Sequence, residues 1–132
     1  MNTNVSYCGL KIVDNSKLIS IVDNNEDFNG WKRYAHHVTI KLGELPTELR
    51  SLKGKRLPIT VTHLGQLDGK VVAVKVKVGV KTSNAFAHIT LAVNQNSGAK
   101  PYDSNKITEW FLIRKFDVVG IVSEFDNHGN SI

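Results

Sequence analysis

Cysteine is nearly missing from this 132-residue chain, with Cys8 alone. One thiol cannot build an intramolecular disulfide framework or a multi-cysteine metal site, and a reducing, intracellular setting fits it best. Nothing repeats at a fixed period and no low-complexity linker divides the chain, so one domain over residues 1–132 is expected, with the tail 126–132 flexible. No stretch approaches the roughly 18 apolar residues of a membrane span, and Met1 to Asn4 is not a basic segment leading into an apolar run. The expectation is a protein away from membranes, in the cytoplasm, or in the host cytoplasm if it is viral. A glycine-rich phosphate loop is also lacking, and neither Cys8 nor any serine has the local setting of a nucleophile. Five scattered histidines and the single cysteine show no ligand spacing, so neither a metal site nor a cofactor is expected.

Acidic residues are the minority charge. Seventeen Lys+Arg against 12 Asp+Glu give a formal +5 and a pI near 9.4, which favours contact with a polyanion such as RNA, a nucleotide or phosphate. The lysines of Lys70, Lys75, Lys77 and Lys81 form a basic stripe that reads first as a solvated strand face.

The pattern of apolar residues predicts a strand-rich α+β fold with about six or seven strands and few short helices. Strands are expected at Tyr7 to Val13, Ala35 to Leu42, Leu57 to Leu67, Val71 to Val80, Phe86 to Val93 and Phe116 to Phe125. A short helix is expected through Lys17 to Val22, capped by Asp14 or Ser16, with helical turns at Thr47 to Leu52 and Asn105 to Trp110. Asp68-Gly69 is the strongest hairpin signal, because both residues tolerate the positive φ of a primed turn. After it Val72, Val74, Val76, Val78 and Val80 share one face, and Lys75 and Lys77 share the other, so one face is expected buried and one wet.

Two short segments carry the chemistry. In His37-Val38-Thr39-Ile40-Lys41-Leu42, strand alternation puts His37, Thr39 and Lys41 on one face and Val38, Ile40 and Leu42 on the other. His88-Ile89-Thr90-Leu91-Ala92-Val93 repeats the arrangement, with His88 and Thr90 opposite Ile89, Leu91 and Val93. Opening a 2′,3′-cyclic phosphate needs a base for the attacking water and an acid for the departing ribose oxygen, and histidine serves either role near neutrality. Each threonine, two residues along on the same face, can donate its hydroxyl hydrogen to a phosphate oxygen. Alternation turns His36 away from this face and leaves it a structural or supporting role.

Paired His-x-Thr motifs flanked by apolar residues resemble those of the 2H phosphoesterases. The segment Lys100-Pro101-Tyr102-Asp103-Ser104-Asn105 is also similar to a Lys-Pro-x-x-Ser-Asn stretch of the cyclic-phosphodiesterase domain of fungal-type tRNA ligases. The resemblance implies a metal-independent phosphodiesterase in which two catalytic strands line a central cleft. One histidine would act as base and the other as acid, with the assignment open. It departs from the family in size: His37 and His88 stand 51 positions apart, fewer than is usual there. The family's helices between the motifs would then be trimmed, or replaced by the Leu57 to Val80 hairpin.

His37, Thr39, His88 and Thr90 are therefore the candidate catalytic residues. Lys41, Lys100 and Ser104 are candidate phosphate contacts, and Tyr7, Tyr102 and Trp110 are candidates to stack on a base. The expected partner is an RNA end, a cyclic nucleotide or an oligonucleotide. Two other readings stand beside cyclic-phosphate hydrolysis: the same chemistry on 2′-5′ or 3′-5′ linked signals, as in viral or phage counter-defence, and a non-catalytic RNA-binding module.

Overall fold

The computed structural model describes residues 4–132, and strands rich in β-branched and aromatic residues form its framework. The strands are β1 Tyr7–Ile12, β2 Lys32–Arg33, β3 His37–Leu42, β4 Arg56–Leu67, β5 Val71–Val78, β6 His88–Val93 and β7 Trp110–Phe125. One α-helix, α1 Ser16–Asp23, follows β1. The Asp14 carboxylate starts it by accepting from the Ser16 amide at 3.0 Å, and Leu18 and Val22, four residues apart, bury one face. Single 3₁₀ segments lie at Glu26–Phe28, Thr47–Leu52, Gln95–Ser97 and Pro101–Lys106. Among the described residues no helix is long and apolar enough to cross a membrane.

All seven strands belong to one antiparallel sheet in the order β2-β6-β5-β4-β7-β1-β3. The β4–β5 hairpin closes through three residues, Asp68-Gly69-Lys70, between the paired Leu67 and Val71, and the Lys70 amide donates to the Leu67 carbonyl at 2.9 Å. Gly69 has φ +70° but Asp68 does not share a positive φ, so the turn is not the two-residue primed one expected. Val72, Val74 and Val76 face the main core with Leu10, Ile59 and Leu91. Fully burying such an aliphatic side chain contributes about 1.5–3 kcal/mol.

The other face of β5 is drier than alternation predicts. Val71 and Ala73 are fully buried in a second cluster with Val93, Ala99 and Ile107. The segment Pro101–Lys106 packs against β5 and β6 and roofs this face. Its position also corrects the helical turn expected at Asn105 to Trp110. Pro101 opens the 3₁₀ segment, Asp103 Oδ2 accepts from the Lys100 amide at 2.8 Å, and β7 already begins at Trp110. Trp110, Phe111 and Ile113 fit a pleated surface better than a helix.

The sheet's two outer strands meet. β2 pairs with β6 through Lys32↔Val93 and Arg33↔Ala92, and the pairing continues from the Tyr34 amide to the Leu91 carbonyl (2.7 Å) and from the Ala35 amide to the Thr90 carbonyl (2.8 Å). Ala35 then adopts φ +49°, a left-handed conformation that re-aims the chain. From His36 onward the same segment bonds to β1, first through the Ile12 amide and then through Leu10↔Val38 and Gly9↔Thr39. One stretch of chain thus joins both edges and curls the sheet back on itself. Ala35 is also why β3 starts at His37 and not at Ala35.

Candidate active site

The seam between β3 and β6 is tied at two points. At one end the Ala35 amide donates to the Thr90 carbonyl, and at the other the Ser83 amide donates to the Ile40 carbonyl at 2.8 Å. Between them, among the described residues, no backbone hydrogen bond links the two sides. That interval contains His37 and Thr39 on one side and Phe86 and His88 on the other. Both histidines of the paired motifs therefore come to a stretch where, among the described residues, no backbone hydrogen bond closes the seam.

His37 is half-buried, with its ring against Tyr7 (centroids 4.9 Å) and Phe125 (5.5 Å). Its Nε2 lies 3.0 Å from Thr39 Oγ1 and its Nδ1 lies 3.0 Å from His36 Nδ1. Burial, with smaller contributions from the neighbouring imidazoles of His36 and His88, pushes the His37 pKa down to about 4. His88 is buried and its Nδ1 lies 3.3 Å from the Phe86 carbonyl oxygen. A carbonyl only accepts, so this contact makes Nδ1 the protonated nitrogen and leaves Nε2 for chemistry. Burial lowers the His88 pKa as well, but the Phe86 carbonyl supports the charged form and works against that shift.

The threonines are held differently. Among the described residues Thr39 Oγ1 meets only its own motif's histidine, whereas Thr90 Oγ1 donates to the Pro101 carbonyl at 3.1 Å and lies 2.8 Å from the fully buried Ser104 Oγ. With the Thr90 hydrogen on Pro101, the Ser104 hydroxyl donates to Thr90. Ser104 is thus a support for Thr90 more than a direct contact surface.

Other sequence candidates scatter. Tyr7 packs on His37 and stacks on Phe125 at 4.7 Å, a wall behind the imidazole. Trp110 meets Phe86 edge to face at 5.2 Å, and Phe86 in turn meets the His88 ring at 5.4 Å. Lys75, paired with His88 across the ladder, lies over both Phe86 (5.4 Å) and Trp110 (5.5 Å). Lys41 is exposed beyond the Ser83–Ile40 tie, where it lines a groove of about 390 Å³ with Leu49, Leu52, Val80 and Lys81. Lys100 is exposed, and Tyr102 sits on the outer side of its 3₁₀ segment, 67% exposed.

Sequence reasoning missed Phe86 and misplaced His36. Phe86 was detectable from its position two residues before His88, where its carbonyl can reach Nδ1. His36 is not turned away: its ring stands 5.1 Å from that of His37. Alternation fails there because His36 precedes β3 and follows the left-handed Ala35. Among the described residues no three His, Cys, Asp or Glu converge as metal ligands.

Residues 13–122 match the family model described as the fungal tRNA ligase phosphodiesterase domain. No curated protein matches the chain.

Proposed function

The chain belongs to the fungal tRNA ligase phosphodiesterase domain family, within the 2H phosphoesterase superfamily, and from that premise we propose that it hydrolyses a 2′,3′-cyclic phosphate, at an RNA end or on a nucleotide, to a 2′-phosphate. Membership implies cyclic phosphodiesterase activity on RNA ends. The finer reading rests on one observation: two histidines, one half-buried and one buried, of which only His88 has a carbonyl beside its Nδ1, flank the same open interval of the seam.

His37 is the base. Its low pKa keeps it neutral at working pH, so Nε2 can take a proton from the attacking water once Thr39 turns its hydroxyl to a phosphate oxygen. The water oxygen bonds to phosphorus, the bond from phosphorus to O3′ breaks, and O3′ takes the proton from Nε2–H of His88. His88 suits the acid role because its Nδ1–H is already held by the Phe86 carbonyl, and the substrate's phosphate anion favours the imidazolium. Proton transfer among histidine, water and ribose calls for no metal, so EDTA is expected to leave turnover unchanged.

The test incubates the wild type, His37→Ala and His88→Ala with 2′,3′-cyclic nucleotides, cyclic-phosphate-ended RNA and 2′-5′ and 3′-5′ linked oligonucleotides. Expected is a 2′-phosphate product from the wild type and loss of it in both variants. Preference for the linked oligonucleotides would reassign the substrate and keep the chemistry. No turnover of any substrate, with RNA binding unchanged in both variants, would leave an RNA-binding module instead.

A further inference from the structure

The two histidines solve one problem in two ways. A general base working through Nε2 needs its hydrogen on Nδ1, although a free imidazole favours the other tautomer, so something must accept from Nδ1–H. For His88 the acceptor is the carbonyl two residues earlier, Phe86. The residue two before His37 is Ala35, whose carbonyl instead accepts from Asn15 Nδ2 at 3.3 Å and whose φ of +49° breaks the strand geometry. The position beside His37 Nδ1 is taken by His36 Nδ1, 3.0 Å away. Two imidazole nitrogens at that distance share one hydrogen, and which ring holds it decides which His37 nitrogen is the base.

We infer that His36 is a positioning residue that accepts the Nδ1 hydrogen of His37, fixing the tautomer in which His37 Nε2 faces the reacting water. The inference rests on the proposed role of His37 as base. His36 is itself held: its carbonyl accepts from the Ile12 amide at 2.9 Å, and its ring packs against Phe125 at 5.5 Å. Burial, and the charge of Lys11 on β1, lower the His36 pKa, so it stays neutral and keeps a lone pair to offer. The other titratable groups around the pair are His88 across the seam and the Tyr7 phenol on β1. When His37 takes the water's proton, the imidazolium keeps its Nδ1–H on His36, as an orienting carboxylate would hold it, but without a second charge.

The test reads the tautomer directly by histidine-ring nitrogen NMR on the full chain, with turnover beside it. Wild-type His37 should show its hydrogen on Nδ1. In His36→Phe, which keeps the bulk and removes the acceptor, the hydrogen should move to Nε2. kcat on a 2′,3′-cyclic nucleotide should fall about 10–100-fold with KM within about twofold. His36→Asn, whose amide oxygen can accept at the same place, should restore most of kcat and the Nδ1–H tautomer. A merely structural His36 predicts no such rescue. Wild-type His37 protonated on Nε2, a Phe variant that keeps the Nδ1–H tautomer, or an Asn variant no better than Phe would overturn the inference. The wild-type spectrum decides even if the Phe variant does not fold. Absence of turnover in the wild type would defeat the functional reading alone, because the tautomer is measured without it.

Discussion

His88 gives its Nδ1 hydrogen to a backbone carbonyl of its own strand's approach, while His37 leans on a second imidazole and two aromatic rings. Thr90 is tied to Pro101 and Ser104, while Thr39 has only His37. Two copies of one tripeptide pattern are thus made unequal by their neighbours. The β3 copy is built to stay neutral, and the β6 copy has help in carrying charge. Unequal environments around like groups are how acid and base roles separate at one pH.

Replacing the histidines should produce the largest effects and reveal the asymmetry. His37→Ala and His88→Ala should each lower kcat/KM about 10²–10⁴-fold, and the double variant should lose little more than the worse single one. Their pH profiles should differ in opposite ways. On the proposed roles His37 must be neutral, so activity should rise as pH climbs through about 4, and His88 must be protonated, so activity should fall as pH passes His88's own lowered value. A bell with its maximum on the acid side of 6.5 is expected. Residual activity in His37→Ala should lose the acid limb, and in His88→Ala the alkaline limb. Identical residual profiles would erase the proposed division of labour.

Stability should carry the same asymmetry. The folded-state pKa of His37 lies near 4, below the unfolded value of 6.5, so the unfolded chain binds the extra proton between those values. Folding is therefore unaffected by this group above pH 6.5 and is weakened as pH falls toward 4, by about 3 kcal/mol at most. Urea midpoints at pH 7 and 4.5 should draw closer in His37→Gln than in the wild type. Equal acid losses in both would place the low pKa elsewhere.

How much of this was legible in the sequence depends on the range of the interaction. Alternation exposed which residues of β3, β5 and β6 face the main core, but not the register shifts opposite β3 and between β5 and β6, nor the roof over the second face of β5. Asp68-Gly69 marked its hairpin because the turn is local. Nothing local, however, announces that Lys32–Leu42 joins both edges of the sheet. That depends on β6 pairing with residues 59 and 61 positions earlier in sequence, Arg33↔Ala92 and Lys32↔Val93, and on Ala35 accepting a left-handed backbone that glycine or asparagine would have advertised. His36 was misread for this reason, since alternation applies only within a strand. The pairing of the motifs was readable, and their different support was not, because Tyr7, Phe125 and Ser104 reach them from remote segments.

A glycine under the β3 copy makes a further contrast. A Cβ on Gly9 would collide with the Val38 carbonyl oxygen, at the position paired with Thr39. Backbone cannot swing aside as a side chain can, so Gly9→Ala should push β1 from β3, cost about 1–3 kcal/mol and disturb His37 and Thr39 together. Thermal denaturation and kcat should fall together. An unchanged melting point would mean that the β1–β3 contact gives way freely and does not hold the motif.

The smallest expected effect tests the β6 copy. Ser104→Ala removes the hydroxyl that donates to Thr90 while leaving the Pro101 carbonyl as acceptor. One neutral hydrogen bond in a buried site is lost, worth about 1 kcal/mol of stability. Thr90 remains tethered, so kcat should drop less than about tenfold, below what a transition-state donor contributes when removed outright. Thr90→Val takes away the hydroxyl itself, which must leave the Pro101 carbonyl to donate to phosphate, and should exceed it. The two variants together separate support from contact: if Ser104 touched phosphate itself, Ser104→Ala would match or surpass Thr90→Val, and the double variant would show additive losses. If it acts through Thr90, Ser104→Ala in the Thr90→Val background should change kcat no further, since there is no hydroxyl left for it to hold.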